Sequence, residues 1–323
     1  MEKSDPQQNR LALGGQAASL RQRTNWFWLY AAALVLGFGY PLLGLIRFSL
    51  GSELYSHVLL VPVISGYLIW TDRQKLGRVF KPAPRLAGLL LLLGATALLA
   101  YAFGRWSGWQ PASPNDRLSA PILAFLFFLT GGLAWFCGGR IFRDLIFPLA
   151  FLVFMVPLPQ FFEDGLVNFL QLASAEVSYW FLTLSAMSVY REGTRFTLPG
   201  VTIGVAPECS GIRSTLVLFM TGLLAAYFFL RRSDSKLILT ALLVPLGILR
   251  NAFRIFTLAQ LAVHVDPDIL NSSLHHRGGP IFFTVSLAPF FLLIWALRKR
   301  EVRLEKQLNK KVNPPAAAVS DPT

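Results

Sequence analysis

The chain has 323 residues, of which 54% are hydrophobic and only 15% charged, with a mean hydropathy of +0.51. A soluble protein keeps about a quarter of its residues charged, so these proportions exclude one, while long apolar runs and a count of two cysteines exclude disorder and a disulfide scaffold. The formal charge of +13 does not read as a nucleic-acid groove, because Lys and Arg gather between apolar runs and in the tails, with no interleaved stacking aromatics.

A membrane crossing needs about 20 mostly apolar residues. In chain order the sequence predicts a basic cytoplasmic tail over 1–25, then spans at 26–46, 54–70, 86–103, 120–137, 141–158, 212–230, 237–262 and 280–297. The first span has aromatic and Arg flanks instead of a small-residue cleavage site, so it reads as a retained anchor. Residues 26–297 form one transmembrane domain, and 298–323 read as a second basic cytoplasmic tail, disordered. Trp26, Trp28, Trp106 and Trp109 read as interfacial belt residues.

The segment 163–189 is long enough to cross, yet carries Glu163, Asp164, Asn168, Gln171 and Glu176. Charge parity decides it. The N-terminus, the loop 71–85, the loop marked by Arg231, Arg232 and Lys236, and the C-terminal tail are all basic, which places them in the cytoplasm. Four spans return the chain to the cytoplasm near Arg140, and a third crossing before Arg231 would break the parity. Residues 163–189 are therefore expected as an amphipathic helix on the outer face. The fold class is all-α, polytopic, with about eight transmembrane helices, both ends inside, and a short extracytoplasmic β-hairpin. The same parity puts Cys137 and Cys209 at opposite faces, so no disulfide joins them.

The hairpin is expected where Phe196 and Leu198 alternate with polar residues, Pro199-Gly200 turns, and Val201, Ile203 and Val205 alternate again. It leads into Pro207-Glu208-Cys209-Ser210-Gly211-Ile212-Arg213-Ser214, where a long apolar helix begins. Cys209 thus falls at or just before a helix N-terminus, whose orphan N–H groups favour a thiolate and an oxyanion. A free cysteine is often only a small buried hydrophobe; neighbours Glu208, Ser210 and Arg213 make that an odd packing site. Arginine inside a span is a functional candidate by default. Counted from Lys236, Arg254 lies about 27 Å up its helix, at the level of Cys209, and Arg250 one turn deeper. The alternative is that they snorkel or pair with a structural acid such as Glu176. In the last outer loop, His275 or His276 could serve a thiol as base and then acid, or be solvated surface. His57, opening the second span, could join the site or only bond backbone. No phosphate loop, dinucleotide fingerprint or metal-ligand spacing occurs, so neither cofactor nor metal is expected.

Together these residues resemble the exosortase/archaeosortase family of membrane cysteine transpeptidases. The likeness rests on Pro207-Glu208-Cys209-Ser210-Gly211-Ile212-Arg213-Ser214 after the Arg195-Phe196-Thr197-Leu198-Pro199-Gly200 hairpin, on Asn251-Ala252-Phe253-Arg254-Ile255, on His275 to Gly279, and on Tyr55-Ser56-His57 to Pro62. It covers about residues 53 to 297. The resemblance implies a sorting enzyme of the bacterial inner membrane, with its site on the extracytoplasmic side. Its partners would be secreted proteins ending in a Pro-Glu-Pro-like motif, a transmembrane helix and a basic tip, cut there and passed to a cell-surface acceptor. It also implies Cys209, Arg254 and His275 as the catalytic set, with His276, Arg250, Glu208, Ser210 and His57 as supporting candidates; a one-residue slip would select His276. Val58 departs from the family's usual Gly after the histidine. The rivals are a transporter or flippase that passes an anionic substrate along Arg250 and Arg254, and a scaffold within a polysaccharide export system. Cys209→Ala separates them.

Overall fold

The computed structural model describes residues 6–73, 81–266, 269 and 279–312. The chain divides into two compact units, residues 1–163 and 164–323.

In the first unit, α1 (Pro6–Gly37) and α2 (Gly39–Gly51) meet at a bend of 68°. Pro41 explains the break: a proline has no N–H and its ring clashes with the carbonyl four residues earlier, which here belongs to Gly37, the last residue of α1. A 3-10 turn, Ser56–Leu59, then leads into α3 (Leu60–Asp72), followed by α4 (Pro84–Trp106) and α5 (Pro114–Phe136). Helix α5 is the centre of the unit, burying Leu118, Ile122, Phe125, Leu126 and Leu133. Tyr30 of α1 donates to the Phe128 carbonyl at 2.9 Å. The expected span 141–158 is not one helix. It is α6 (Gly139–Asp144), α7 (Ile146–Phe151) and a 3-10 turn at Leu152–Met155. The rule that breaks α1 applies again, since Pro148 stands four residues after Asp144, where α6 stops.

A buried polar knot fixes the start of the next helix. The Tyr55 hydroxyl donates to Glu163 at 2.6 Å, Asn115 Nδ2 also donates to Glu163, and the Gln160 N–H donates to Asp116 at 2.9 Å.

Helix α8 (Gln160–Leu184) carries the chain into the second unit. It buries Leu170, Ser174, Ala175, Ser178 and Leu182, one face at helical spacing, and exposes Phe169, Leu172 and Trp180. Its acid Glu176 bonds Arg191 and accepts from Trp180 Nε1 at 3.0 Å. That pairing replaces the expectation that Glu176 would serve Arg250 or Arg254.

The expected hairpin is a three-stranded antiparallel meander: β1 (Tyr190–Glu192), β2 (Arg195–Leu198) and β3 (Val201–Gly204). Phe196 faces Ile203, and Leu198 faces Val201 across the Pro199-Gly200 turn. The extra strand, β1, pairs Arg191 with Phe196. Its alternation is too short to register in sequence.

Three long helices complete the unit: α9 (Ile212–Phe229), α10 (Ser233–His264) and α11 (Gly279–Val312). They share a core of Leu218, Leu239, Leu243, Phe290 and Ile294. A Cβ on Gly222 would lie 2.4 Å from Leu243, and one on Gly247 2.7 Å from Thr215, so α9 and α10 approach as closely as small residues allow. The C-terminal segment, expected to be disordered from Arg298, remains helical as far as Val312. The basic N-terminal segment is likewise helical from Pro6.

Among the described residues, five helices are long and apolar enough to cross a membrane, or up to seven if each of two bent pairs is one span. The protein is a multi-pass, mainly helical membrane protein, with one small sheet among the described residues.

Candidate active site

The site is built at the junction of the meander with α9. Phe196 and Leu198 point into a core with Val205, Ala175 and Leu182 of α8, and Ile255 and Ala259 of α10. Cys209 packs at the margin of this core. Beyond β3, Pro207–Cys209 form a 3-10 turn in which the Cys209 N–H donates to the Ala206 carbonyl at 2.8 Å. Gly211, not Cys209, is the N-cap of α9. Its φ of +78° is left-handed, and a Cβ there would lie 2.7 Å from the Asn251 amide carbon. Both facts require glycine.

Asn251 is 1% exposed, and its Nδ2 donates to the Cys209 carbonyl at 2.9 Å. This bond ties the nucleophile candidate to α10. Cys209, Asn251 and Arg254 line one cavity of about 20 Å³, walled by Ile203, Val205, Ile255 and Leu258. Room for about one water is the scale of that space. The structure therefore brings together two of the three residues singled out by sequence. The third, His275, and its neighbour His276 lie outside the described residues, as do Pro267 and Asp268.

The supporting candidates separate. Arg250 is 7% exposed and donates to the Ser214 hydroxyl, one turn into α9. Ser210 is buried, and its hydroxyl accepts from the Ile212 N–H at 3.4 Å. The backbone of Glu208 is in the 3-10 turn, and its side chain lies outside the described residues. His57 belongs to the first unit, where its Nδ1 donates to the Leu54 carbonyl at 2.9 Å. That is the backbone role the sequence left open for it. Neither Cys137 nor Cys209 is joined in a disulfide.

Asn251 is the residue that inspection of the sequence passed over as a site member. The signal was present: it stands beside Arg250 and one turn before Arg254, and an amide inside a span needs a partner. Gly211 carried a second signal, a glycine between a polar turn and a helix start.

A family model described as Transmembrane exosortase (Exosortase_EpsH) matches residues 46–292. The chain belongs to the transmembrane exosortase family. The match includes the polar knot around Tyr55, the meander, Cys209, Asn251, Arg254 and the His275–His276 pair. A search of curated proteins gave no match, and neither did a search of solved structures. Exosortases are membrane cysteine proteases or transpeptidases that act on secreted proteins bearing sorting signals, and the transporter alternative gains no support from the match.

Proposed function

We propose that this exosortase cleaves the C-terminal sorting signal of secreted proteins and transfers the new C-terminus to a cell-surface acceptor. The observation that carries this reading is the shared cavity of Cys209 and Arg254, with Asn251 holding the Cys209 backbone. A thiol and a guanidinium facing one small space match a nucleophile and an oxyanion partner.

In the first half-reaction the Cys209 thiolate attacks the scissile carbonyl, and the guanidinium of Arg254 holds the negative oxygen of the tetrahedral intermediate. The C–N bond then breaks. The leaving amine takes a proton from His275, and the new C-terminus remains on Cys209 as a thioester. In the second, an acceptor hydroxyl or amine gives its proton to His275 and attacks the thioester, which releases the thiolate. Water in place of the acceptor gives hydrolysis. A proton transfer by such a group contributes about two to four decades in rate, and one oxyanion donor about two to three.

The reaction belongs on the extracytoplasmic face of the bacterial inner membrane. An open three-stranded sheet has unpaired edges, which hydrocarbon does not tolerate, so the meander favours a position at or above the headgroups. Helix α8 bonds the meander through Gln171 to the Val205 carbonyl and Glu176 to Arg191. Those bonds support the same level for α8, that of an amphipathic surface helix. The substrate's own transmembrane helix would then present its Pro-Glu-Pro-like motif to Cys209 from the outer leaflet.

The test is processing in cells of a tagged substrate carrying such a signal, by wild type, Cys209→Ala and Arg254→Ala at matched expression. Cys209→Ala should leave the substrate uncut, and Arg254→Ala should process it at about a hundredth of the wild-type rate or less. Normal processing by Cys209→Ala overturns the reading.

A further inference from the structure

A second cavity is lined by none of the candidate catalytic residues. It has a volume of about 680 Å³, lies within the first unit between the start of α4 and α6, and is lined by Lys81, Arg140, Arg143 and Asp144 together with Leu86 and Phe142. Three cations thus face one carboxylate. The cleft is built, not merely left over. The Gly139 N–H donates to the Lys81 carbonyl at 2.8 Å, which pins the segment before α4 to α6. A Cβ on Gly139 would lie 2.8 Å from the Ala83 Cβ, so the approach needs glycine.

Its level in the membrane follows from α4, a 23-residue helix that is long and apolar enough to cross a membrane. At about 1.5 Å per residue such a helix spans the hydrocarbon of about 30 Å and puts its ends among the headgroups. The cleft opens at one of those ends. Arg140 and Arg143 are exposed there, while Leu86 and Phe142 are half-buried apolar walls.

We infer that this cleft binds an anionic phospholipid of the surrounding bilayer, with its phosphate on Arg140, Arg143 and Lys81 and its upper acyl carbons along Leu86 and Phe142. A guanidinium fork matches phosphate oxygens in pairs. Basic pockets beside spans take lipid headgroups for the same reason. The volume falls in the range of ligand sites, about 300–1,000 Å³. A free phosphate would have no use for the apolar walls, which is why the lipid is the favoured source of the anion. This inference is independent of the proposed peptidase chemistry.

Native mass spectrometry of the full-length protein tests it, with mixed phosphatidylglycerol and phosphatidylcholine as the probe lipids. Wild type should retain phosphatidylglycerol in preference to phosphatidylcholine. Arg140→Gln with Arg143→Gln should reduce that preference about tenfold or more. Lys299→Gln with Arg303→Gln removes the same charge from the exposed side of α11, outside this cleft, and should leave the preference within about twofold. No preference in wild type, which needs no variant to fold, overturns the inference. So does an equal loss in the two variant pairs, which would reduce the effect to general surface charge. Displacement of the lipid by inorganic phosphate at millimolar concentration would assign the cleft to a free anion and likewise overturn it.

Discussion

Asn251 lines the cavity of Cys209 and Arg254, and its amide nitrogen is engaged by the Cys209 carbonyl through a hydrogen bond of 2.9 Å. It acts on the thiol through the backbone, so its loss should misplace the nucleophile without removing it. A misplacement of about 1 Å can cost about a hundredfold in rate. Asn251→Ala should therefore process substrate about 10- to 100-fold more slowly than wild type, with KM for the substrate little changed. A merely structural role would not alter the thiol itself, and alkylation of Cys209 in a Cys137→Ser background supplies that readout. The rate of labelling should differ from the parent in Asn251→Ala and return toward it in Asn251→Gln. An unchanged labelling rate beside slow processing would assign Asn251 to folding alone. The contrast with Cys209 and Arg254 shows what a sequence makes legible. A lone cysteine among polar neighbours and an arginine inside a span are rare enough to stand out by residue type. The partner of Asn251 is a backbone carbonyl 42 positions away, and a carbonyl leaves no trace in side-chain pattern.

At the scale of elements, the long helices were legible from hydropathy, but their breaks were not. A hydropathy window scores Pro41 and Pro148 as tolerable apolar neighbours, whereas their effect falls four residues earlier, at Gly37 and Asp144. The second unit supplies the converse case, a helix start secured from a distance. The N-cap of α10 is Arg232, which makes no side-chain cap bond. Glu301 of α11 provides the cap instead, its two carboxylate oxygens accepting from the Arg231 N–H at 3.1 Å and the Arg232 N–H at 2.9 Å. Glu301 is only 8% exposed, which explains why α11 stays helical past the apolar stretch where a tail was expected to fray. Glu301→Ala should lower stability by about 0.5–2 kcal/mol, the range for loss of a helix cap. Amide exchange should accelerate at 231–236 and along the end of α11 while the α8–meander core stays protected. Equal exchange throughout, or none, would show that Glu301 does not join these two helix ends.

At the scale of the molecule, the number of crossings decides on which side each terminus lies. Seven candidate spans put the termini on opposite faces, and eight put both in the cytoplasm with the basic loop at Arg231. The difference rests on one element. Helix α3 has 13 residues, too few to count by length, but the 3-10 turn Ser56–Leu59 runs directly into it. Thirteen residues at about 1.5 Å and four at about 2.0 Å give roughly 28 Å, close to the hydrocarbon thickness of about 30 Å. Two polar anchors flank that length: the Tyr55–Glu163 bond at its start, and Arg73 stacked 4.3 Å over Trp70 at its end. An anchored segment of nearly full span length should cross, so eight crossings are expected despite the shortness of α3. Reporter fusions read the outcome directly. A cytoplasm-active reporter after Thr323 and another after Arg232 should both be active, and a periplasm-active reporter inserted at Gly200 should also be active. A C-terminal reporter active only outside would mean that Ser56–Asp72 turns back within the bilayer; the basic loop at 71–85 would then share a face with His57, and the orientation assigned to Cys209 would have to be reversed or rebuilt.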